Sequence, residues 1–482
     1  MCGTNGLSLS LISININRFT TMFYFSFTSE PFIRKFCIYG LFGYKDVEIG
    51  FEEPFKILVG ENGSGKTTIL NCLYYTLMKK FEPLSKIRFD KIKIDFRHKK
   101  TLEFAKYEVD AMVEAEKKFQ NTPFYRSLSQ QFTSKDIESL AKMIYSDRTE
   151  AEQTKEMLTF TRKLGFDFKT PSSYMYNNVK RLVNEHLSMN LAHRLEVLDD
   201  VLKSKILYFP TYRRVESALG NFEEINKKLA EANPFFDRID VEKIFQDEQM
   251  QFGMEDVYDS IHKITSEIYS KTMDGFSVIM GDMLGQLSKT NIGKDVGYNF
   301  DNKVIQIILD RLGDTIKEED KKQIVSYANS GNLNNSNLNF LISKLANLYD
   351  EQKALDKALK VFKDTCNHYL SEKQFVYNES AIDLHIESSH NQEELDLECL
   401  SSGEKQIVSL FAKLFLDVDS SFIMLLDEPE LSLSVLWQEK LLPDILRSQK
   451  CNFMLAVTHS PFIYDNELED SAQAISDFIK EK

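Results

Sequence analysis

The sequence predicts an α/β fold in which a mixed sheet flanked by helices is split by a large, mainly helical insertion. Three observations predict it. The apolar strand Phe55-Lys56-Ile57-Leu58-Val59 runs into the glycine-rich loop Gly60-Glu61-Asn62-Gly63-Ser64-Gly65-Lys66-Thr67-Thr68, and an amphipathic helix follows. A second apolar strand, Phe422 to Asp427, ends on two adjacent carboxylates, Asp427 and Glu428. Between them the chain reads mainly as helix until Leu400-Ser401-Ser402-Gly403-Glu404-Lys405-Gln406 opens a further helix just ahead of the second strand.

Residues 1–31 stand apart as an N-terminal extension. Leu7, Leu9 and Leu11, then Ile12, Ile14 and Ile16, alternate with Ser and Asn, and no Lys or Arg precedes Arg18. The charged leader of a secretory signal is therefore missing, and Asn15, Asn17 and Arg18 interrupt any membrane span. Two readings stay open: Met22 is the true start, or the segment is a disordered or strand-like tail.

Residues 32–110 form the first part of the head. Short strands are expected from Phe32 to Phe51, then the strand into the glycine loop, then a helix over Thr67–Lys80 with Ile69, Leu70, Leu73, Leu77 and Met78 on its apolar face. Lys86 to Val109 alternates apolar and polar residues, which predicts two or three strands. From Lys79 to Lys106 there are ten Lys/Arg and four carboxylates. That stretch is either a DNA-facing strand pair or a solvated strand face.

Residues 111–370 make the helical insertion. Lys205-Ile206-Leu207-Tyr208-Phe209-Pro210 reads as a return strand within it. Arg213 and Arg214 follow, aimed at phosphate or a facing subunit, or else paired with Glu216 or Glu223. The clearest helix is Leu345 to Leu370. Asn332 to Asn339 reads as a polar loop or linker. No heptad pattern runs long enough for extended coiled-coil arms. Residues 371–482 complete the head: strands at Phe375–Tyr377 and Ala381–Ile386, a helix over Glu404–Phe415, the Asp427 strand, a helix over Val435–Arg447 and a last strand over Asn452–Val457.

Composition excludes several classes. With 59 Lys+Arg against 73 Asp+Glu the net charge is -14, so the chain does not coat nucleic acid over its whole surface, though a local basic groove is compatible with it. The six cysteines are scattered, and none forms a Cys-x-x-Cys pair. They read as reduced thiols of a cytoplasmic protein, not as a disulfide framework or zinc site. No transmembrane segment is found, and no membrane partner is expected.

The chemistry follows from residue types. In the glycine loop, Gly60, Gly63 and Gly65 let backbone N–H groups of the Asn62, Ser64 and Thr68 region wrap a phosphate. Lys66 supplies charge to the β- and γ-phosphates, and the Thr67 hydroxyl suits Mg²⁺. Asp427, at a strand end, is placed to hold the same ion. Glu428 is placed to orient or deprotonate the attacking water. Two buried carboxylates at a strand end are costly without a cation. Ser401, Ser402 and Gly403 precede a helix and offer a second anion site. His459, in Thr458-His459-Ser460-Pro461 after the last apolar strand, is placed to sense the γ-phosphate. ATP and Mg²⁺ are the cofactors these residues imply.

Taken together, the phosphate loop, Leu-Ser-Ser-Gly-Glu-Lys-Gln, Leu-Leu-Asp-Glu-Pro-Glu-Leu-Ser-Leu and Thr-His-Ser-Pro-Phe resemble the ABC-type ATPases of the OLD/RecF/SMC branch of the AAA family. The resemblance covers about residues 32 to 110 and 370 to 470. It implies an ABC-type head whose signature loop completes the site of a second head, so that the active unit is a homodimer or higher homo-oligomer around ATP. It places Ser401 and Gly403 on the γ-phosphate of the opposite subunit. Ser402 replaces the more common second-loop Gly, and Ser434 stands where the branch often has His or Asp, which weakens the expected communication between the two sites. The compact size and Tyr-Phe-Pro-Thr-Tyr-Arg-Arg are similar to the stand-alone ATPase subunits of bacterial anti-phage systems such as PARIS and Septu. That similarity implies a slow, regulatory ATPase, a separately encoded nuclease effector, and DNA or a phage protein as trigger. The stretch after His459 is too short for an appended Toprim nuclease, and no Cys-x-x-Cys hook supports a Rad50-like tether. The alternative is a RecF/SMC-like ATPase that clamps DNA in repair or chromosome maintenance.

Overall fold

A computed structural model describes residues 31–115, 132–146, 148–163, 172–210, 254–287, 302–330 and 335–481. The open readings of residues 1–21 and of Arg213 and Arg214 fall outside the described residues. The α/β class holds, but the strands expected in one mixed sheet divide between separate hydrogen-bonded sheets. β3 (Phe55–Val59), β6 (Lys205–Phe209), β10 (Phe422–Asp427), β11 (Cys451–Thr458) and β12 (Ala472–Ala474) form a parallel sheet of order β12-β3-β11-β10-β6. β1 (Ile33–Leu41), β2 (Lys45–Gly50), β4 (Lys91–Phe96), β5 (Thr101–Ala105) and β13 (Ile479–Glu481) form an antiparallel sheet of order β13-β2-β1-β4-β5. β7 (Lys373–Asn378), β8 (Asp383–Ser388) and β9 (Glu394–Leu395) make a small third sheet.

The parallel sheet is buried on both faces, which is why β10 and β11 read as continuous apolar runs. Side chains on a strand alternate between faces, and the two cores divide accordingly. Phe422, Met424 and Leu426 of β10, with Met454 and Ala456 of β11, join one core with α11 (Ser402–Leu416) and α12 (Val435–Arg447). Ile423 and Leu425, with Phe453, Leu455 and Val457, join the other with α1 (Lys66–Leu77), α2 (Phe81–Ser85) and the antiparallel sheet.

Several expectations are corrected. β6 is the return strand read at Lys205–Pro210 inside the mainly helical stretch 111–370, and it pairs in parallel with β10 from Phe422↔Lys205 to Leu426↔Phe209, as a strand of the core sheet. The helical material is therefore inserted on both sides of a core strand. Asn452–Val457 is not the last strand, because β12 and β13 return to β3 and β2. The strand alternation stops at Ala105, whose amide donates to Glu108 Oε2 at 2.8 Å, and α3 (Lys106–Ala115) begins there. The basic stretch is laced with carboxylates: Lys79–Asp199, Lys91–Glu103, Lys93–Asp95, Lys100–Asp200 and Lys106–Asp110 are ion pairs. These pairs engage five of its ten Lys/Arg.

Among the described residues, the first group of inserted helices contains α3, α4 (Ser134–Ile144), α5 (Glu150–Lys163) and α6 (Ser172–Val201). α6 bridges two cores. Its first half packs Met175, Val179 and Val183 with Leu140 and Met157, and its second half packs Leu191, Leu195 and Leu198 on the head.

The second group contains α7 (Glu255–Leu287), α8 (Asn302–Arg311), α9 (Glu318–Ser330) and α10 (Ser336–Asn367). The pair α7 and α10, 33 and 32 residues long, spans about 50 Å, far beyond the helix expected over Leu345–Leu370. Asn335, expected inside a loop, caps α10 by accepting the Leu338 amide at 3.1 Å. No heptad announced this pair because polar residues interrupt the apolar seam. Leu355, Leu359 and Phe362 of α10 join the head core, and Leu341, Leu345 and Leu348 join an outer core with Ile279 of α7. Between them, Arg311 (0% exposed side chain) pairs with Asp356 (2%) at 2.6 Å, donates to Gln352 Oε1 at 2.6 Å and reaches the Glu379 carbonyl at 3.0 Å. Thr272 donates to the same Gln352 oxygen at 3.2 Å, and Tyr377 of β7 donates to Asp356. This layer joins the helix pair to the head. Asp356→Ala strands a buried guanidinium and is expected to cost about 3–5 kcal/mol. The denaturant midpoint measures it, and an apolar replacement of both partners, Arg311→Met with Asp356→Leu, should cost less.

Candidate nucleotide site

The parallel register aligns three strand ends. Thr458 lies opposite Val59, and Asp427 opposite Val457. The loops leaving β3, β10 and β11 therefore meet in one crevice at the carboxyl edge of the sheet, where open α/β sheets bind ligands. The Gly60 amide donates to the Thr458 carbonyl at 3.2 Å and pins the glycine loop to β11. Gly65, at φ +98°, takes the left-handed turn that opens α1.

Lys66 and Thr67 then stand on the first turn of α1. The Lys66 side chain is 4% exposed, and its Nζ donates to the Gly60 carbonyl at 2.7 Å and the Glu61 carbonyl at 3.1 Å. It also lies 3.4 Å from Glu428 Oε1. Thr67 Oγ1 donates to Asp427 Oδ1 at 2.9 Å. Asn62 is exposed at the loop tip, and Thr68 is half-buried on α1. Ser64 Oγ is buried without a hydrogen-bond partner.

Asp427, the last residue of β10, is 1% exposed. Glu428 leaves the strand at φ +50°, a left-handed conformation rare for a side-chain-bearing residue. Such strain costs of order 1–3 kcal/mol and clusters at functional sites. Its amide donates to the Val457 carbonyl at 2.9 Å, which fixes the turn. Its second oxygen lies 3.3 Å from His459 Nδ1. His459 itself is exposed, and its Nδ1 is 3.1 Å from Glu430 Oε1.

The glycine loop, Asp427, Glu428 and His459 are thus brought together. Ser401, Ser402 and Gly403 are not. Among the described residues, no hydrogen bond or ion pair joins them to residues 60–68. Ser401 caps α11 in a reciprocal box: its amide donates to Glu404 Oε2 at 2.7 Å, and its hydroxyl accepts the Glu404 amide at 3.4 Å. Ser402 is exposed on the first turn. Gly403 is required by close approach, since a Cβ there would lie 2.6 Å from the Ser432 carbonyl oxygen. The signature helix therefore rests on the loop that follows β10.

Sequence reading missed Glu430 and Gln438. Glu430 Oε1 accepts from Thr458 Oγ1 at 2.7 Å, the His459 amide at 3.1 Å and the Ser460 amide at 3.2 Å. Gln438 of α12 donates to the Leu433 carbonyl and accepts from Ser460 Oγ at 2.7 Å. The available signal was the second glutamate of Asp-Glu-Pro-Glu, which looks like one more acidic loop residue until the Thr-His-Ser turn folds onto it.

Two segments of the chain match AAA-domain families. Residues 35–269 match a family described as an AAA domain. Residues 298–465 match one described as "AAA domain, putative AbiEii toxin, Type IV TA system". Together these matches support an AAA-type ATPase head. No curated protein matches the chain. Among solved structures, a SmcHead bound to the C-winged helix domain of ScpA aligns at 11% identity and TM-score 0.31, covering 90% of this chain and 91% of that one. An Smc head domain with an extended coiled coil, bound to the C-terminal domain of ScpA derived from Pyrococcus furiosus, aligns at 12% and 0.32, covering 94% and 96%. No helix among the described residues is long and apolar enough to cross a membrane.

Burial pushes the Glu404 carboxyl up, but the Ser401 amide and Lys373, 3.0 Å away, outweigh it and hold the group below its ordinary value of 4.5. A carboxylate depressed in the fold adds stability above its unfolded value and loses it as pH falls through the folded one. Glu404→Gln should therefore cost about 1–2 kcal/mol at neutral pH. The gap from wild type in thermal midpoint should close as pH falls below 4.5.

Proposed function

We propose that this chain is an ABC-type ATPase that binds ATP with Mg²⁺, closes as a homodimer or higher homo-oligomer and hydrolyses ATP slowly as a regulatory signal. The Thr67–Asp427 contact carries the reading, because it joins a phosphate-loop hydroxyl to the buried carboxylate of a distant strand. The residues fit the group. Lys66 supplies a fixed positive charge, and Ser64 Oγ is a buried hydroxyl with no hydrogen-bond partner in the loop. Gly60, Asn62, Gly63, Gly65 and Thr68 complete the phosphate cradle. Thr67 and Asp427 would hold Mg²⁺, which when bound neutralises phosphate charge.

Glu428 orients the attacking water and accepts its proton as the bond from the γ-phosphorus to the bridging oxygen breaks, giving ADP and phosphate. The 3.4 Å Lys66–Glu428 contact keeps that carboxylate beside the reacting centre. His459, 3.3 Å from Glu428, senses the γ-phosphate. Ser401, Ser402 and Gly403 serve the nucleotide of the opposite head; their separation from residues 60–68 of the same chain supports this arrangement.

We place the ATPase in a bacterial anti-phage setting in the cytoplasm, where its nucleotide state controls a separately encoded nuclease and responds to DNA or a phage protein. The family description at residues 298–465, a putative toxin of a toxin–antitoxin system, supports this setting. The carboxylate-paired lysines Lys91 and Lys93 of β4 and Lys100, just before β5, favour it over direct DNA clamping. The long α7–α10 pair favours the second reading, an SMC-like DNA clamp.

Lys66→Ala should abolish ATP binding, measured with a fluorescent nucleotide; full binding sinks the ATPase reading. Glu428→Gln should lower phosphate release by about 100-fold or more and accumulate an ATP-bound dimer in light scattering. Capture of partners by this variant with ATP, with and without DNase, separates the two settings. A nuclease that survives DNase supports effector control. Salt-sensitive DNA binding supports the clamp.

A further inference from the structure

Glu430 has no role in the reaction described so far, yet it is one of the most heavily bonded side chains near the site. It is 5% exposed. One of its oxygens, Oε1, faces four donors: Thr458 Oγ1 at 2.7 Å, the His459 amide at 3.1 Å, the Ser460 amide at 3.2 Å and His459 Nδ1 at 3.1 Å. The other, Oε2, is buried without a partner. A carboxylate is the side chain suited to this environment, since an ionised oxygen accepts several N–H and O–H groups at once. Glu428 and Glu430 flank His459 Nδ1 on the same loop, so the ring is addressed by two carboxylates from one strand end.

We propose that Glu430 is the positioning residue of the hydrolysis site. It ties the Thr458–Ser460 turn to the loop after β10 and so fixes His459 relative to Glu428. Gln438 completes the clamp from the other side: its amide holds the Leu433 carbonyl, and its oxygen holds Ser460 Oγ. Glu430 touches no reacting atom and acts through His459. The proposal rests on the ATPase reading for its kinetic consequence, but the tether itself is a property of the fold.

Glu430→Gln keeps the shape and removes the charge, and Glu430→Asp keeps the charge on a shorter arm. For Glu430→Gln, kcat should fall about 10- to 100-fold, the size of a misplaced catalytic group, while KM for ATP and the thermal midpoint hold. Glu430→Asp should recover less than half of that loss. The double variant Glu430→Gln/His459→Ala should be no slower than His459→Ala alone, because one residue works through the other. Hydrogen exchange of the segment 457–462 should quicken in Glu430→Gln with or without ATP. Additive losses in the double variant overturn the proposal, and so does unchanged exchange at His459 and Ser460. If the wild-type protein hydrolyses no ATP, the ATPase reading fails by itself, and the exchange measurement still decides the tether.

Discussion

The site hangs on the contact between Thr67 and Asp427, 2.9 Å apart and 360 residues apart in sequence. One partner opens α1 and the other ends β10. They meet only if β3, β11 and β10 are neighbours, parallel and in register, because a shift of one residue would turn each side chain to the opposite face. The alternating division of β10 and β11 between two cores enforces that register. The insertions can be large because they leave and re-enter the head at strand ends. β6 returns the chain to the sheet edge beside β10.

Three carboxylates crowd the end of β10, and each is tolerated for a different reason. Burying a charge is costly unless it is paired and hydrogen-bonded. Asp427 accepts from Thr67, Glu428 faces Lys66 and His459, and Glu430 gathers the donors of the Thr458–Ser460 turn. Different partners give adjacent residues of one chemical type different tasks. The left-handed backbone at Glu428 makes this possible by turning the chain sharply after the strand, so that successive carboxylates point to different neighbours.

Much of this was legible in the sequence where chemistry requires a residue type at a fixed spacing. The phosphate loop, the Asp427–Glu428 strand end and the boundaries of α12 followed from pattern alone. What escaped depends on tertiary contact. Glu430 carries no local mark of burial; only the folded Thr458–Ser460 turn supplies its donors. β12 and β13 are three residues each, too short for a period-two pattern. The α7–α10 pair hid its length because its seam is broken at Thr272, Gln352 and Asp356, where a buried guanidinium replaces apolar packing. β6 was readable as a strand, but its partner was not, since five residues of apolar run do not say which edge they join.

The loop after β10 is where these elements converge. Between residues 428 and 438 this loop and the first turn of α12 touch Lys66 through Glu428, the His459 turn through Glu430 and Gln438, and the signature helix through Ser432 and Trp437, which lie against Gly403. Cores are close-packed and repack between discrete arrangements more readily than they deform smoothly. A Cβ at residue 403 would already clash with the Ser432 carbonyl, so the signature loop and this segment are in close contact. In the proposed dimer, each chain's signature loop serves its partner's nucleotide while this segment serves its own. Ser434, the residue whose type departs from the branch, lies within the same segment and caps α12 only through its backbone carbonyl, which accepts the Trp437 and Gln438 amides at 3.0 Å. The packing of Gly403 on residues 432–437 and the Glu430–Gln438 clamp tie this segment to the signature helix and the His459 turn without using a side chain at position 434.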